Sequence, residues 1–218
     1  MNAQLQILLV TAASIGFFHT LMGPDHYLPF IMIGKAKNWS LSKVMTLTVF
    51  CGIGHVFSSV VLGGIGIVLE LEVERLNWYE SVRGDVAAWA LIAFGLIYGM
   101  WGVRYWYRHK AHSHCHFPNE GGGKQKTTPL ILFVIFVLGP CEPLIPVLMY
   151  PAARESMFAL AMVSGLFAVV TILTMTGMVL LSSYGFKFIL LKRFENWSHA
   201  LAGFVIFLSG LSIQVLGL

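Results

Sequence analysis

The chain has 218 residues, of which 57% are hydrophobic and 11% are charged, with a mean hydropathy of +0.76. Soluble domains carry about one quarter charged residues, so this composition excludes a soluble globular domain and predicts a single all-α integral membrane domain over residues 1–218. The net charge of +4 is not the signature of a nucleic-acid-binding protein, and the lipid bilayer is the predicted partner.

Apolar runs of about 20 residues, the length that crosses a hydrocarbon core, predict six transmembrane helices. Gly23-Pro24 interrupts the first and Gly139-Pro140 the fourth, because proline lacks the amide hydrogen and clashes with the preceding turn. The predicted spans are 4–33, 43–69, 86–107, 129–152, 157–184 and 196–217.

Basic residues predict the orientation of these spans. Eleven of the fourteen Lys and Arg residues fall in loops 1–2, 3–4 and 5–6, and the positive-inside rule places those loops in the cytoplasm. Both termini are then outside, and the expected location is the inner (plasma) membrane. The acidic segment 70–80 is predicted to be an external loop with Trp78 and Tyr79 as interface anchors. The three remaining basic residues are Arg75, Arg83 and Arg154.

Two motifs indicate an internal repeat. The Gly-Pro pair at 23–24 recurs at 139–140, and the pattern Trp-x5-Gly-x6-Gly begins at Trp89 and again at Trp197. Three helices per half give the halves opposite topology, so we expect a 3+3 inverted repeat with helices 1 and 4 broken. Inverted repeats with broken helices are typical of transporters. The expected limits are 1–108 for repeat one, 109–128 for a cytoplasmic loop and 129–218 for repeat two.

Five ionisable residues in the first, second and fourth predicted spans lie away from the span ends: His19, Asp25, His26, His55 and Glu142. Such groups are costly in a bilayer and are therefore candidates for function. Imidazole and carboxylate together suit divalent metals such as Ni²⁺, Co²⁺ and Zn²⁺. We predict that the five residues bind a transported metal ion, with Glu142 either joining the site or taking up a proton in exchange.

Structural roles are the alternative for these residues. An intramembrane histidine often makes an interhelical hydrogen bond, and Glu142 would then cap a helix break. Ser58 and Ser59 lie one helical turn beyond His55 and are predicted to be hydrogen-bond partners behind the metal ligand.

A histidine tract occupies the loop between spans three and four. Four imidazoles fall within eight residues, with Cys115 among them, and such a tract binds soft or borderline metals weakly. It suits either an exporter that gathers its cargo or an importer that senses internal load. The four residues are His109, His112, His114 and His116.

The sequence resembles the nickel/cobalt transporter families, in particular the NicO-type exporters and the UreH-like membrane proteins of the LysE superfamily. The resemblance rests on His19-x5-Asp25-His26, on "GHVFSS" at 54–59 and on the His-rich loop. The family motif is usually His-x4-(Asp or Gly)-His, so the gap here is one residue longer. The resemblance implies that the motif residues bind metal and that the chain is a transporter, with the ion as cargo, no cofactor and no enzymatic activity. The sequence leaves open whether copies of the chain form a homo-oligomer.

Two alternatives remain open. Half-helix N-termini after the Gly-Pro pairs favour negative charge, which suits an exporter of an anion or small sulfur compound. "GPCEPLIP" at 139–146 is similar to the Cys-Pro signature of the CcdA/DsbD thiol-reductant conduits, which implies a related fold. Those proteins also have a cysteine in the first helix. In this chain the first-half residue that corresponds to Cys141 is Asp25, and Cys51 is not at the corresponding position. This difference argues against the redox chemistry.

Overall fold

The computed structural model describes residues 3–110, 127–139, 141, 143–154, 157–185 and 197–216, and within these residues it contains helices and no strand. Pro140, Glu142 and residues 111–126 lie outside the described residues. The elements are α1 (Ala3–Met22), a 3₁₀ turn (Pro24–His26), α2 (Leu28–Ala36), α3 (Leu41–Val68), α4 (Val73–Lys110), α5 (Thr127–Leu138), α6 (Leu144–Arg154), α7 (Met157–Gly185) and α8 (Ser198–Leu216).

The helices have the length and composition of a membrane protein. Five of them, α1, α3, α4, α7 and α8, are long and apolar enough to cross a membrane. Their exposed faces carry large apolar side chains such as Phe57, Met100 and Leu173, as expected of surfaces that face lipid. The α5 and α6 helices have 12 and 11 residues, and each is too short to cross a bilayer alone.

The third span begins earlier than predicted. The α4 helix starts at Val73 rather than at residue 86 and includes most of the segment expected to be a loop. Leu76, Glu80 and Arg83 are spaced by four and three residues, so they lie on one helix face, and that face is turned into the protein. The charged composition of the segment concealed this periodicity. The limits of the second, fifth and sixth spans are within about two residues of those predicted, the usual uncertainty of a helix end.

Local chemistry explains the tight turn between α2 and α3. Asn38 adopts a left-handed backbone with φ of 50°, and the amide of Trp39 donates to Gly34 O at 2.8 Å. This is a helix C-cap that asparagine tolerates. Ser40 then caps α3 by accepting from the amide of Lys43 at 3.4 Å.

The first helix is broken at the predicted position. α1 ends at Met22, directly before Gly23-Pro24, and the chain resumes as α2 at Leu28. Between them the amide of His26 donates to Gly23 O at 3.1 Å, which forms the 3₁₀ turn. We call residues 23–27 the first break.

The fourth predicted span is divided in the same way. α5 ends at Leu138, directly before Gly139, and α6 begins at Leu144. The amide of Gly139 donates to Phe136 O at 3.1 Å. We call residues 139–143 the second break.

Within the described residues the helices enclose two large apolar clusters, one on each side of the two breaks, and a smaller third cluster. We call the two large clusters inner and outer after the predicted orientation. The inner cluster is formed mainly by α2, α3, α5 and α7, and the outer cluster by α1, α6 and the first half of α7. The inner cluster contains Phe30, Ile31, Ile33, Val44, Cys51, Leu91, Leu132, Ile135, Phe136, Met175, Val179 and Ile206, and the outer cluster contains Ala12, Val56, Cys141, Leu144, Val147, Leu148, Val163 and Phe167.

Glycines allow α4 and α8 to pack at close distance. A Cβ at Gly203 would overlap the backbone of Gly99, and a Cβ at Gly95 would overlap the backbone of Phe207. Small residues serve this purpose in membrane helix pairs, where backbones approach closely. The contact holds the end of the first half of the chain against the end of the second half.

Candidate metal centre

Three histidines from different elements meet at the first break. His19 lies in the last turn of α1, His26 in the 3₁₀ turn and His55 midway along α3. One ligand atom from each lies within 4.8 Å of the other two. The ring centroids of His19 and His26 are 5.0 Å apart and those of His26 and His55 are 5.1 Å apart, with the rings nearly perpendicular. The break brings the first two imidazoles together, and α3 adds the third.

Hydrogen bonds define which nitrogen of His26 and His55 carries the proton. Nδ1 of His26 lies 3.2 Å from Gly23 O and 3.3 Å from Asp25 Oδ2, and Nδ1 of His55 lies 3.2 Å from Phe136 O. Carbonyl and carboxylate oxygens only accept, so Nδ1 donates in both rings. In the neutral rings Nε2 then keeps its lone pair, which is the arrangement found in metal-binding histidines.

Each of the three imidazoles has a buried nitrogen that lacks a partner among the described residues. Nε2 of His19, His26 and His55 and Oδ1 of Asp25 are buried, and none has a hydrogen-bond partner among the described residues. A buried polar atom without a partner costs about 1–3 kcal/mol, so four together are a substantial penalty. A divalent cation satisfies converging imidazole nitrogens, with metal–nitrogen distances of about 2.0–2.1 Å. The donor set therefore fits a metal ion.

Asp25 lies behind His26 rather than beside the converging nitrogens. Its Oδ2 contacts Nδ1 of His26, on the ring edge that already bonds to Gly23 O. A carboxylate in this place orients the imidazole and raises its basicity as a ligand. The sequence places Asp25 among the ligands, which stays a prediction, and its contact with His26 suits an orienting role.

The second break also contributes to the site. A Cβ at Gly139 would lie 3.3 Å from Nδ1 of His55, so the glycine backbone packs directly against that ring. Phe136 O, one turn earlier, accepts from the ring. The expected serine partners do not contact the imidazole: Ser58 Oγ donates to the backbone carbonyl of His55, and Ser59 Oγ accepts from Arg83.

Sequence reasoning missed a buried ion pair next to the second break. Nη2 of Arg83 lies 2.8 Å from Oε2 of Glu80 and donates to Gly139 O at 3.0 Å. The amide of Cys141 donates to Oε2 of Glu80 at 3.4 Å. The sequence predicted an external loop for Glu80 and the external side for Arg83, although their spacing from Leu76 was the signal that could have found the pair.

Several predicted residues lie outside the described residues, and their roles stay predictions. They include Glu142 and Pro140 and three of the loop histidines, His112, His114 and His116. His109 belongs to the last turn of α4.

The two cysteines among the described residues lie in different apolar clusters. Cys51 and Cys141 are both buried and free. Cys51 belongs to the inner cluster and Cys141 to the outer cluster.

Comparisons with known proteins provide no assignment for the chain. No family model matches it, and neither a curated protein nor a solved structure is similar to it. The geometry of the described residues is therefore the basis for a functional proposal.

Proposed function

We propose that the chain is a membrane transporter of a divalent transition-metal cation, with Ni²⁺ or Co²⁺ as the cargo that fits best. His19, His26 and His55 bind the ion, and Asp25 orients His26. The observation that carries the proposal is that three buried imidazoles, each with an unpartnered Nε2, offer ligand atoms within 4.8 Å of one another at a break in an apolar helix. Imidazole donors suit Ni²⁺, Co²⁺, Cu²⁺ and Zn²⁺ better than Mg²⁺ or Ca²⁺.

The position of the site suits a transporter in an occluded state. His55 lies between Cys51, which belongs to the inner cluster, and Val56, which belongs to the outer cluster. An ion held by His55 therefore has packed apolar side chains on either side of it along α3. Release to one side requires one cluster to open while the other stays closed, as in alternating access.

Matching helix ends support the inverted repeat. Three pairs of helix ends recur 116 residues apart, the same separation as the Gly-Pro pairs. In this arrangement α1 with α2, and α5 with α6, each form one broken crossing, which makes six crossings in total. The pairs are the last residues of α1 and α5 (22 and 138), the first of α2 and α6 (28 and 144) and the first of α3 and α7 (41 and 157).

The packing is reciprocal between the proposed halves. The contact of α1 with α7 corresponds to the contact of α5 with α3. Likewise, the contact of α2 with α8 corresponds to the contact of α6 with α4. α4 and α8 approach each other most closely around Gly95 and Gly203. These glycines are 108 residues apart, the separation of the two Trp-x5-Gly-x6-Gly motifs, as expected for equivalent residues of the two proposed halves that meet each other.

Protein carboxylates at both breaks argue against an anion as cargo. Asp25 occupies the first break, and Glu80 accepts from the amide of Cys141 at the second. The guanidinium of Arg83 is paired with Glu80. The positions where half-helix N-termini would attract an anionic substrate are thus already filled by negative charge.

The basic residues support an inner (plasma) membrane protein with both termini outside the cytoplasm. The histidine tract is then cytoplasmic and raises the local metal concentration near the transport site. Exchange with protons is part of the proposal, because imidazoles that release a metal can take up protons. These features agree with the resemblance to nickel/cobalt transporters.

Metal binding and flux in proteoliposomes test the proposal. The background chain should carry alanine at all four tract histidines, so that the tract does not contribute to binding. These substitutions are His109→Ala, His112→Ala, His114→Ala and His116→Ala. His19→Ala and His55→Ala should then each abolish saturable Co²⁺ or Ni²⁺ uptake and high-affinity binding. His199→Ala is the matched control, because His199 contacts Tyr98 rather than the three-histidine centre. Unchanged uptake and binding in both site variants would disprove the assignment.

A further inference from the structure

At each break the carbonyl of the corresponding glycine accepts a hydrogen bond from a nitrogen that also faces a carboxylate. In the first break, Gly23 O bonds to Nδ1 of His26, and the same nitrogen faces a carboxylate oxygen of Asp25. In the second break, Gly139 O bonds to Nη2 of Arg83, and the same nitrogen faces a carboxylate oxygen of Glu80. Gly23 and Gly139 are the corresponding residues of the two Gly-Pro pairs. A nitrogen donor with its own carboxylate therefore stands at each break.

The donor at the second break comes from a distant helix and is well enclosed. Glu80 is fully buried, and the side chain of Arg83 is 16% exposed. Nη2 of Arg83 has three oxygen partners, which are Glu80 Oε2, Gly139 O and Ser59 Oγ. An ion pair so placed in a membrane helix needs a functional reason, because desolvation of both charges is costly.

The guanidinium connects the second break to the helix that carries the third imidazole. Ser59 lies one turn after His55 on α3, so Arg83 bridges α3 to Gly139. Gly139 in turn donates its amide to Phe136 O, the atom that accepts from the His55 ring. A continuous set of hydrogen bonds thus runs from Arg83 to the imidazole of His55.

We propose that Arg83 and Glu80 are positioning residues for the metal site, with the guanidinium acting as a resident cation that clamps the second break to α3 and so orients His55. This inference rests on the proposed function of the three-histidine centre. Metal binding then occurs at the first break alone, because the Arg83–Glu80 ion pair already occupies the second. One divalent ion is bound per chain.

Substitutions at Arg83 test this role in the background that lacks the loop histidines. Arg83→Ala should weaken Co²⁺ binding about 10–100-fold, the usual effect of removing a partner behind a metal ligand. The Co²⁺ affinity of Arg83→Lys should lie between those of wild type and Arg83→Ala, because the ammonium group also has three N–H donors but the lysine side chain has a shorter reach. Arg75→Ala is the matched control, since Arg75 is exposed on the same helix.

Arg83→Ala leaves the carboxylate of Glu80 buried without the guanidinium, which by itself destabilises the folded chain. The double variant Glu80→Gln with Arg83→Met removes both charges and keeps the test decisive. Glu74→Gln is the control for the double variant, because Glu74 is an exposed residue of α4 that lies about two turns before Glu80.

The decisive measurement is the visible absorption spectrum of bound Co²⁺, which reports the number and geometry of its ligands. In folded Arg83 variants we expect a changed spectrum, with the third imidazole displaced, and a binding stoichiometry of one in wild type. A lower folded fraction with an unchanged spectrum and affinity per folded chain would overturn the positioning role. If wild type binds no Co²⁺ and His55→Ala makes no difference, the proposed function and this inference fall together.

Discussion

Gly23→Ala is expected to disrupt the metal centre without straining the backbone. Gly23 has φ of −87° and ψ of 92°, which alanine adopts readily. Its Cβ would lie 2.6 Å from Nδ1 of His26 and 3.0 Å from Oδ1 of Asp25. The effect of the substitution is therefore steric and directed at the site.

The size of the effect follows from the contact distances. Ordinary contacts of a Cβ begin at 3.4 Å, so the His26 ring must move by about 0.8 Å. Metal–ligand distances tolerate only about 0.2 Å. The ring cannot easily turn aside, because Nδ1 bonds to Gly23 O and His19 packs edge-on against it. We expect Co²⁺ affinity to fall about 10–100-fold, which corresponds to roughly 1.4–2.7 kcal/mol.

Isothermal titration of the purified chain in lipid nanodiscs measures this effect, and thermal unfolding measures stability in parallel. Gly34→Ala is the matched control: its Cβ would meet a methyl group of Val44 at the same 2.6 Å, away from the metal centre. It should lower the unfolding temperature and leave the affinity of folded protein unchanged. Gly64→Ala meets no atom within 4 Å and should affect neither. Wild-type affinity in folded Gly23→Ala would refute the reasoning.

Three further predictions follow from the same structure. Co²⁺ binding should weaken as the pH falls from about 8 to 5, because protons compete with the metal for three neutral imidazoles. Titrations in buffers of different ionisation enthalpy should show proton release on binding, and an affinity that does not depend on pH would contradict the ligand set. The double variant Cys51→Ala with Cys141→Ala should retain metal uptake in proteoliposomes, since neither thiol belongs to the centre, and loss of transport with intact folding would revive the thiol-conduit alternative. Gly203→Ala should destabilise the chain by about 1–3 kcal/mol in thermal unfolding, because the new Cβ would overlap the Gly99 backbone. Gly165→Ala is the control, because its Cβ would meet no atom within 4 Å. Equal unfolding temperatures for the two variants would show that the close packing of α4 and α8 is unimportant for stability.

The candidate metal centre was only partly predictable from the sequence. His19, Asp25, His26 and His55 were identified because ionisable groups inside apolar runs are conspicuous. Their relative positions were not predictable, since seven residues of straight helix would have placed His19 and His26 two turns apart. The 3₁₀ turn after Gly23 shortens that distance, and the packing of α3 against the break sets the position of His55.

The sequence by itself determined the local features. Apolar length specifies membrane helices, and the missing amide hydrogen of proline ends α1 before Pro24, because both depend on residues adjacent in the chain. Only the tertiary structure decided which atoms converge. The tautomer of His55 depends on a carbonyl 81 residues away, and Arg83 reaches a break 56 residues further on. Such contacts depend on the register in which helices pack, and that register results from side-chain shapes along the whole contact rather than from any local pattern.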